Sequence, residues 1–293
     1  MTPRDIVLIP AWRRPEFLWH CLANLRRADH AEEHHYVFRF DHGHSPELFE
    51  VIEGFPFRFE VCVTPRTVYR LAKQSYSLLS GYEIAAQRSG SGMSLVYMVE
   101  EDVMVARDFF RWHREVHAQN PSLWCSAAVA NPNRKVSLAG SGGDYYLTTD
   151  DYCSLGVCFR SRTITDLIAP EVTRKYYVDP INEIKRRFPG SPFGDAFAEQ
   201  DGLIRRLQWR HGMALPIAYP VQPKGYHAGF YGKNRGAGPA GSLVDRKRKL
   251  AEVIYSDEAM RMFARHPEWY EDSRPVNLTP EPWTSASRIP FTP

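Results

Sequence analysis

Three carboxylates stand in a row at Glu100, Glu101 and Asp102, directly after the apolar run 95–99. Neighbouring negative charges repel one another, and a fold tolerates them best where a cation or a hydroxyl-rich ligand offsets the repulsion. A hard divalent ion held by one or two carboxylates, together with the phosphates of a substrate, suits this pattern. The competing reading is a solvated acidic turn in which Asp102 caps the next helix. Two more polar signals follow apolar runs: Arg13-Arg14 after 6–10, and Asp41 after 36–40. Further along, His227 opens a stretch, 225–241, in which six glycines are interleaved with Lys233 and Arg235. Such a loop can fold over a diphosphate and exclude water, its glycines letting backbone N–H groups approach phosphate. It can equally be a plain surface loop.

These groups need elements to position them. The β-branched run 6–10 predicts a buried strand, and 16–27 carries Phe17, Leu18, Cys21, Leu22 and Leu25 at helical spacing behind Pro15. A second strand is expected at 36–40, a helix from Ser45-Pro46-Glu47, a third strand at 57–63, a long helix at 69–88 and a fourth strand at 95–99. This alternation is that of an open parallel α/β sheet, whose ligands sit at the carboxyl ends of the strands. Arg13-Arg14, Asp41 and the acidic triplet all fall there. Later elements are less regular: a helix at 109–118 that Asp108 could cap, strands at 124–129 and 155–159, and a helix at 195–210. From Arg274 onward, prolines at 275, 280, 282, 290 and 293 predict an extended tail.

Residues 10–18 (PAWRRPEFL) resemble the opening strand and helix of nucleotide-sugar glycosyltransferases of the GT-A fold. The stretch 96–110 (VYMVEEDVMVARDFF) resembles the acidic-triplet strand and following helix of eukaryotic N-acetylglucosaminyltransferase I and its relatives, where the triplet replaces the DxD motif. The segments FDHGH at 40–44, LWCSA at 123–127, TDDYCSLG at 149–156, AFAEQD at 196–201 and YHAGFYG at 226–232 follow in that family's order. The resemblance covers about 6–232. It implies an α/β fold, a GT-A-like, Rossmann-type, mostly parallel sheet flanked by helices, in one large domain over 1–241. The donor half would be about 1–108 and the acceptor half about 109–241, with a C-terminal helix and Pro-rich tail at 242–293.

Carried over, the resemblance implies a UDP-sugar donor and a divalent cofactor, Mn²⁺ or Mg²⁺. Asp102 and His227 would serve the metal, Asp102 as its direct ligand. Glu101 and Glu100 would hold ribose and sugar hydroxyls, and Asp41 the uracil N–H. Pro10, Ala11, Arg14 and Arg13 would line the nucleotide, with Lys233 and Arg235 on the diphosphate. Gln74 stands where the relatives carry a base-contacting histidine. An inverting transferase also needs a base for the acceptor hydroxyl, and Asp201 or Glu199 occupies the matching place, Asp201 being the favoured one. The family has adjacent acids there, whereas Gln200 separates them in this chain. The alternative makes both acids ordinary members of a helix surface.

Composition narrows the field without deciding it. A formal charge of +3, 43% hydrophobic and 24% charged residues describe an ordinary globular chain. No signal-peptide pattern and no spanning apolar run is present in the sequence, which predicts a soluble, cytoplasmic protein. Five scattered cysteines without a Cys-x-x-Cys pair predict reduced thiols. His30/His34 and His113/His117 have the i, i+4 spacing of a metal pair but lack a third ligand. P-loop, dinucleotide and nucleophile-elbow motifs are absent from the sequence. The basic runs at 185–187, 205–206 and 246–249 could track phosphates. A hydroxymethylated pyrimidine in bacteriophage DNA is therefore the leading acceptor expected, a bacterial glycan or small molecule the next. A non-catalytic nucleotide-sugar or nucleic-acid binding module competes with both, and a GT-A-like nucleotidyltransferase is a more distant reading.

Overall fold

The computed structural model describes residues 4–66, 72–129, 143–149, 152–193 and 198–227. The first half follows the sequence pattern closely: β1 (Ile6–Ala11), α1 (Pro15–Leu25), β2 (His35–Phe40), α2 (Glu47–Glu53), β3 (Phe59–Val63), α3 (Lys73–Ser89) and β4 (Leu95–Met98). Then come β5 (Val103–Val105), α4 (Phe109–Gln119), β6 (Cys125–Ala127), β7 (Tyr145–Thr148) and β8 (Val157–Arg160). Last are α5 (Arg174–Val178), α6 (Pro180–Arg187), α7 (Gln200–His211), β9 (Ile217–Pro220) and β10 (Gly225–His227).

Eight strands form one sheet in the order β3-β2-β1-β4-β8-β6-β9-β7. β1 pairs in parallel with β2 (Leu8↔Val37) and with β4 (Ile6↔Val96), and β2 in parallel with β3. Beyond β4 the expected parallel order breaks. β8 runs antiparallel to both β4 (Tyr97↔Cys158) and β6, and β7 antiparallel to β9, while β6 and β9 are parallel. The sheet is mixed. Four of its seven pairings are parallel, so it is mostly parallel as the resemblance implies, and the three antiparallel pairings all involve β8 or β7.

Alternation along β1 divides the core. Ile6 and Leu8 join Leu78, Leu79 and Tyr82 of α3 and Leu203, Ile204 and Leu207 of α7 on one face. Val7 and Ile9 join Leu18, Leu22 and Leu25 of α1, together with Phe109 and Phe110 of α4, on the other. A side chain of this size fully buried contributes about 1.5–3 kcal/mol. The two faces therefore anchor α1 and α4 on one side and α3 and α7 on the other. Arg14, immediately before α1, and Asp201, in α7, meet the residues that follow β4 from these two sides, Asp201 through Ser154.

A second, two-stranded sheet was not expected. β10 pairs antiparallel with β5, placing His227 opposite Val103 and Gly225 opposite Val105. His227 is thus a strand residue, where the glycine-rich sequence predicts a loop. Asp108 precedes α4 but makes no capping hydrogen bond, because its Oδ2 accepts from Lys224 Nζ at 2.7 Å. The helix expected at 195–210 begins at Gln200. The tail and the domain boundary near 241 lie outside the described residues. No helix among the described residues is long and apolar enough to cross a membrane.

Candidate functional site

The acidic triplet occupies the turn from β4 into β5, closed by Val103 N–H donating to Glu100 O. It is not a solvated turn: Glu101 is 4% and Asp102 3% exposed. Nor does Asp102 cap a helix, since β5 separates it from α4. Burying two adjacent carboxylates is costly without compensation, and Arg14 provides it. Its guanidinium donates Nε to Glu101 Oε1 at 2.6 Å and Nη1 to Asp102 Oδ2 at 2.6 Å. Glu101 Oε2 also accepts the backbone N–H of Trp12 at 2.9 Å, so the residues after β1 are stitched to those after β4. His227 Nε2 lies 3.2 Å from the same oxygen, Asp102 Oδ2.

The titration behaviour follows from these contacts. Burial pushes Asp102 upward, but the His227 hydrogen bond and the Arg14 charge outweigh it and hold the group at about 2. Glu100 goes the other way, raised to about 8 by burial and by the negative charges of Asp102 and Asp201. Burial also raises Glu101, with Arg14 opposing the shift. Asp102 Oδ1 is buried and accepts no hydrogen bond from the described residues. An ionised carboxylate with one bare, buried oxygen fits a cation. Asp102 and His227 are the pair that would hold Mn²⁺ or Mg²⁺, an ion that commonly takes one or two protein ligands and completes its shell with phosphate and water. No cluster of three or more metal-ligating side chains occurs among the described residues.

Asp201 reaches the same place from the opposite half of the chain. It lies in the first turn of α7, whose start is fixed by Gln200 N–H donating to Ser75 Oγ of α3 at 3.0 Å. Its Oδ2 is 3.4 Å from Ser154 Oγ, and its Oδ1 accepts from Gln200 Nε2 at 3.2 Å. Ser154 Oγ is also 3.2 Å from Glu100 Oε1. Burial raises Asp201 to about 6. Glu199 is half-buried immediately before α7, and its side chain makes no cap hydrogen bond. The triplet and Asp201, 99 positions or more apart in the sequence, therefore share one serine.

The remaining predicted donor residues form a rim above β1 and β2. Pro10 is half-buried, and Ala11 is buried with its carbonyl accepting the N–H of Asp41 at 3.0 Å. Arg13 is exposed, donates Nε to Gly43 O at 2.8 Å and lies over the Trp12 ring at 4.6 Å. Asp41 Oδ1 accepts the N–H of His42 at 2.8 Å, and its Oδ2 is 3.7 Å from Lys73 Nζ. Gln74 is half-buried in the first turn of α3. Lys233 and Arg235 lie outside the described residues. Trp12, within the segment 10–18 but given no role from sequence, and Lys73, which carried no sequence signal, join this rim. Lys73 Nζ donates to His42 O at 2.9 Å and lies 5.0 Å from the centre of the exposed Trp12 ring.

The histidine pairs are structural. His113 Nδ1 lies 2.6 Å from Ser126 Oγ, and His117 Nε2 donates to Cys158 O at 3.2 Å. His34 is buried against Phe110, while His30 pairs with Glu33. The five cysteines are free thiols, three of them buried. Of the basic runs, Lys185 and Arg186 are exposed on α6. Arg206 is 1% exposed and donates to Gly202 O and Phe193 O, and Arg187 pairs with Glu171. Those two arginines are engaged inside the fold and do not face a polyanion. Residues 246–249 lie outside the described residues.

No family model matches the sequence, and no curated protein matches it. Among solved structures, the chain is similar to the glycosyltransferase GlyE of Streptococcus pneumoniae TIGR4, at 10% identity and a TM-score of 0.45 over 93% of this chain and 64% of that one. It is similar to TarS of S. aureus at 12% identity and a TM-score of 0.43, over 92% of this chain and 44% of that one. Mouse xyloside xylosyltransferase 1, in its apo form, matches at 9% identity and a TM-score of 0.43, over 74% and 84% of the two chains. This chain thus spans less than two thirds of the length of either bacterial protein.

Proposed function

We propose that this protein is a metal-dependent inverting glycosyltransferase that moves a sugar from a UDP-sugar to an acceptor hydroxyl. The observation that carries the reading is the convergence of the buried Glu100-Glu101-Asp102 triplet with Asp201 at the carboxyl end of β4, where α/β sheets bind their ligands. Arg14 holds Glu101 and Asp102 in place, and Asp102 Oδ1 would bind the cation with His227 beside it. Mn²⁺ or Mg²⁺, when bound there, supplies charge neutralisation to the departing diphosphate. Asp201 takes the proton of the acceptor hydroxyl as its oxygen attacks the anomeric carbon and the bond to the diphosphate breaks. A carboxyl held near 6 is ionised at neutral pH yet basic enough for this task. Trp12, Arg13, Asp41 and Gln74 form the rim for the nucleotide.

For the acceptor, a 5-hydroxymethyl pyrimidine in DNA offers a primary hydroxyl, reached by flipping the base from the stack. Exposed Lys185 on α6 supports contact with phosphates, whereas Arg186 is paired with Glu183 and Arg187 and Arg206 are engaged inside the fold. A ligand that binds only the folded state raises the thermal midpoint by an amount set by its concentration over Kd. Melting with UDP, UDP-glucose, UDP-galactose and UDP-N-acetylglucosamine, each with and without Mn²⁺, tests the donor site. The expected result is a Mn²⁺-dependent rise that Asp102→Ala abolishes. No rise with any nucleotide at millimolar concentration overturns the proposal. Transfer from the best donor to hydroxymethylated duplex DNA, against a glycan and a small alcohol, then tests the acceptor.

A further inference from the structure

We propose that Ser154 is a positioning residue that fixes the Asp201 carboxylate against the acidic triplet, so that the proton-accepting group and the donor site keep one spacing. This rests on the sugar-transfer reading of the same site. Ser154 belongs to neither sequence element that brings the acids: it lies in the loop before β8, 47 positions from Asp201 and 54 from Glu100. It is 7% exposed, and its Oγ is 3.2 Å from Glu100 Oε1 and 3.4 Å from Asp201 Oδ2. A hydroxyl carries one proton, which it can give to only one of these oxygens at a time. Both oxygens are within its reach, and when it donates to Oδ2 of an ionised Asp201, Gln200 Nε2 donates to Oδ1 and the carboxylate is held at both ends. Among the described residues the hydrogen-bond partners of Asp201 are thus two neutral donors, so it is oriented without losing basicity to an ion pair.

The loop is built to hold Ser154 still. Gly156 adopts φ +63°, and a Cβ there would lie 2.8 Å from the Cβ of Ala128. Ala128 N–H donates to Gly156 O at 3.1 Å, and Val157 N–H to Ser154 O at 3.3 Å. Among the described residues, Glu199, Glu100 and the hydroxyls of Tyr82, Tyr152 and Tyr176 are the other titratable groups around Asp201.

Two measurements on Ser154→Ala and Ser154→Thr test the proposal, in the full chain. In the first, the Asp201 carboxyl carbon, assigned against Asp201→Asn, is titrated by NMR without any ligand. Ser154→Ala is expected to raise its midpoint by about half a unit, because a donor to the charged form is lost, and Ser154→Thr to return it. In the second, Ser154→Ala is expected to lower kcat by about ten- to a hundredfold with the donor KM unchanged, and threonine to restore most of the rate. A midpoint unmoved by alanine, or not restored by threonine, overturns the positioning role. So does a loss confined to KM. If the unmodified protein binds no nucleotide, the sugar-transfer reading fails, and the ligand-free titration still decides Ser154.

Discussion

Arg14 is the residue on which the site most depends, because it answers two buried carboxylates with one cation. Its Nε and Nη1 address Glu101 and Asp102 separately, a spacing that the guanidinium plane supplies and a single ammonium does not. Removing one partner of such a pair leaves an uncompensated buried charge, which costs about 3–5 kcal/mol. Arg14→Ala is therefore expected to lose about that much stability in urea unfolding, and Arg14→Lys to recover only part of it. Asp201 shows the opposite economy. Burial raises it to about 6, above its unfolded value, so ionising it in the folded state works against stability. The unfolded chain releases this proton near pH 4 and the folded one near 6, so the contribution to stability falls as pH rises through that window and stays low above it. Asp201→Asn, which keeps donor and acceptor atoms for Ser154 and Gln200, is expected to be more stable than the parent at pH 7.5 by up to about 3 kcal/mol. The gain should vanish below pH 4. The same variant should lose about a hundred- to ten-thousandfold in kcat, and the parent's kcat/KM should rise with pH through about 6. Stability gained where activity is lost is the signature of a group kept for chemistry.

At the scale of elements, Ala128 after β6 is the point against which two site segments are gauged. Gly156 stands beside it in the Ser154 loop, and Gly225 of β10, whose added Cβ would lie 3.1 Å from the Ala128 Cβ, stands beside it two residues before His227. Gly156→Ala meets both a left-handed backbone and a 2.8 Å clash, and is expected to cost at least about 2 kcal/mol. Because the clash pushes on the Ser154 loop, donor binding should survive in Gly156→Ala while turnover falls, a split that steady-state kinetics resolves. Little of this was legible in the sequence. β1 to β4 and their helices could be read because their apolar residues repeat at the strand and helix periods, with β1, β2 and β4 buried on both faces and β3 half-buried at the sheet edge. β5, β7, β9 and β10 are three or four residues long and owe their existence to partners distant in the chain, which no local pattern records. The triplet, Asp201 and His227 were visible as chemistry, but Ser154 and Lys73 were not. A serine in a loop and a lysine opening a helix acquire meaning only when folding sets an acid beside them.

For the whole molecule, β4 is the hinge of the design. It is parallel to β1 on one side and antiparallel to β8 on the other, so the regular nucleotide-facing half and the irregular half carrying Ser154 and Asp201 meet at the strand that ends in the triplet. That junction is packed on one face by α4, and the packing has a cost in acid. His113 and His117 point from α4 into the sheet and are held neutral, burial alone accounting for most of the fall, with His117 at about 3. A histidine whose folded pKa lies below its unfolded value of about 6.5 takes up a proton on unfolding, so its contribution is intact above 6.5 and is lost as pH falls toward the folded value. Groups such as Asp201 act with the opposite sign over part of this range, so the absolute pH profile mixes the two. The difference between variants does not. His117→Gln can keep the donor to Cys158 O, because its amide nitrogen replaces Nε2, and it has no proton to gain. Relative to the parent, it should therefore become more stable by about 1.4 kcal/mol for each pH unit below 6.5. Urea unfolding of both proteins at pH 7, 6, 5 and 4 measures that slope. A flat difference across the series would mean that His117 is already charged in the folded protein, and that α4 does not seal this face of the sheet.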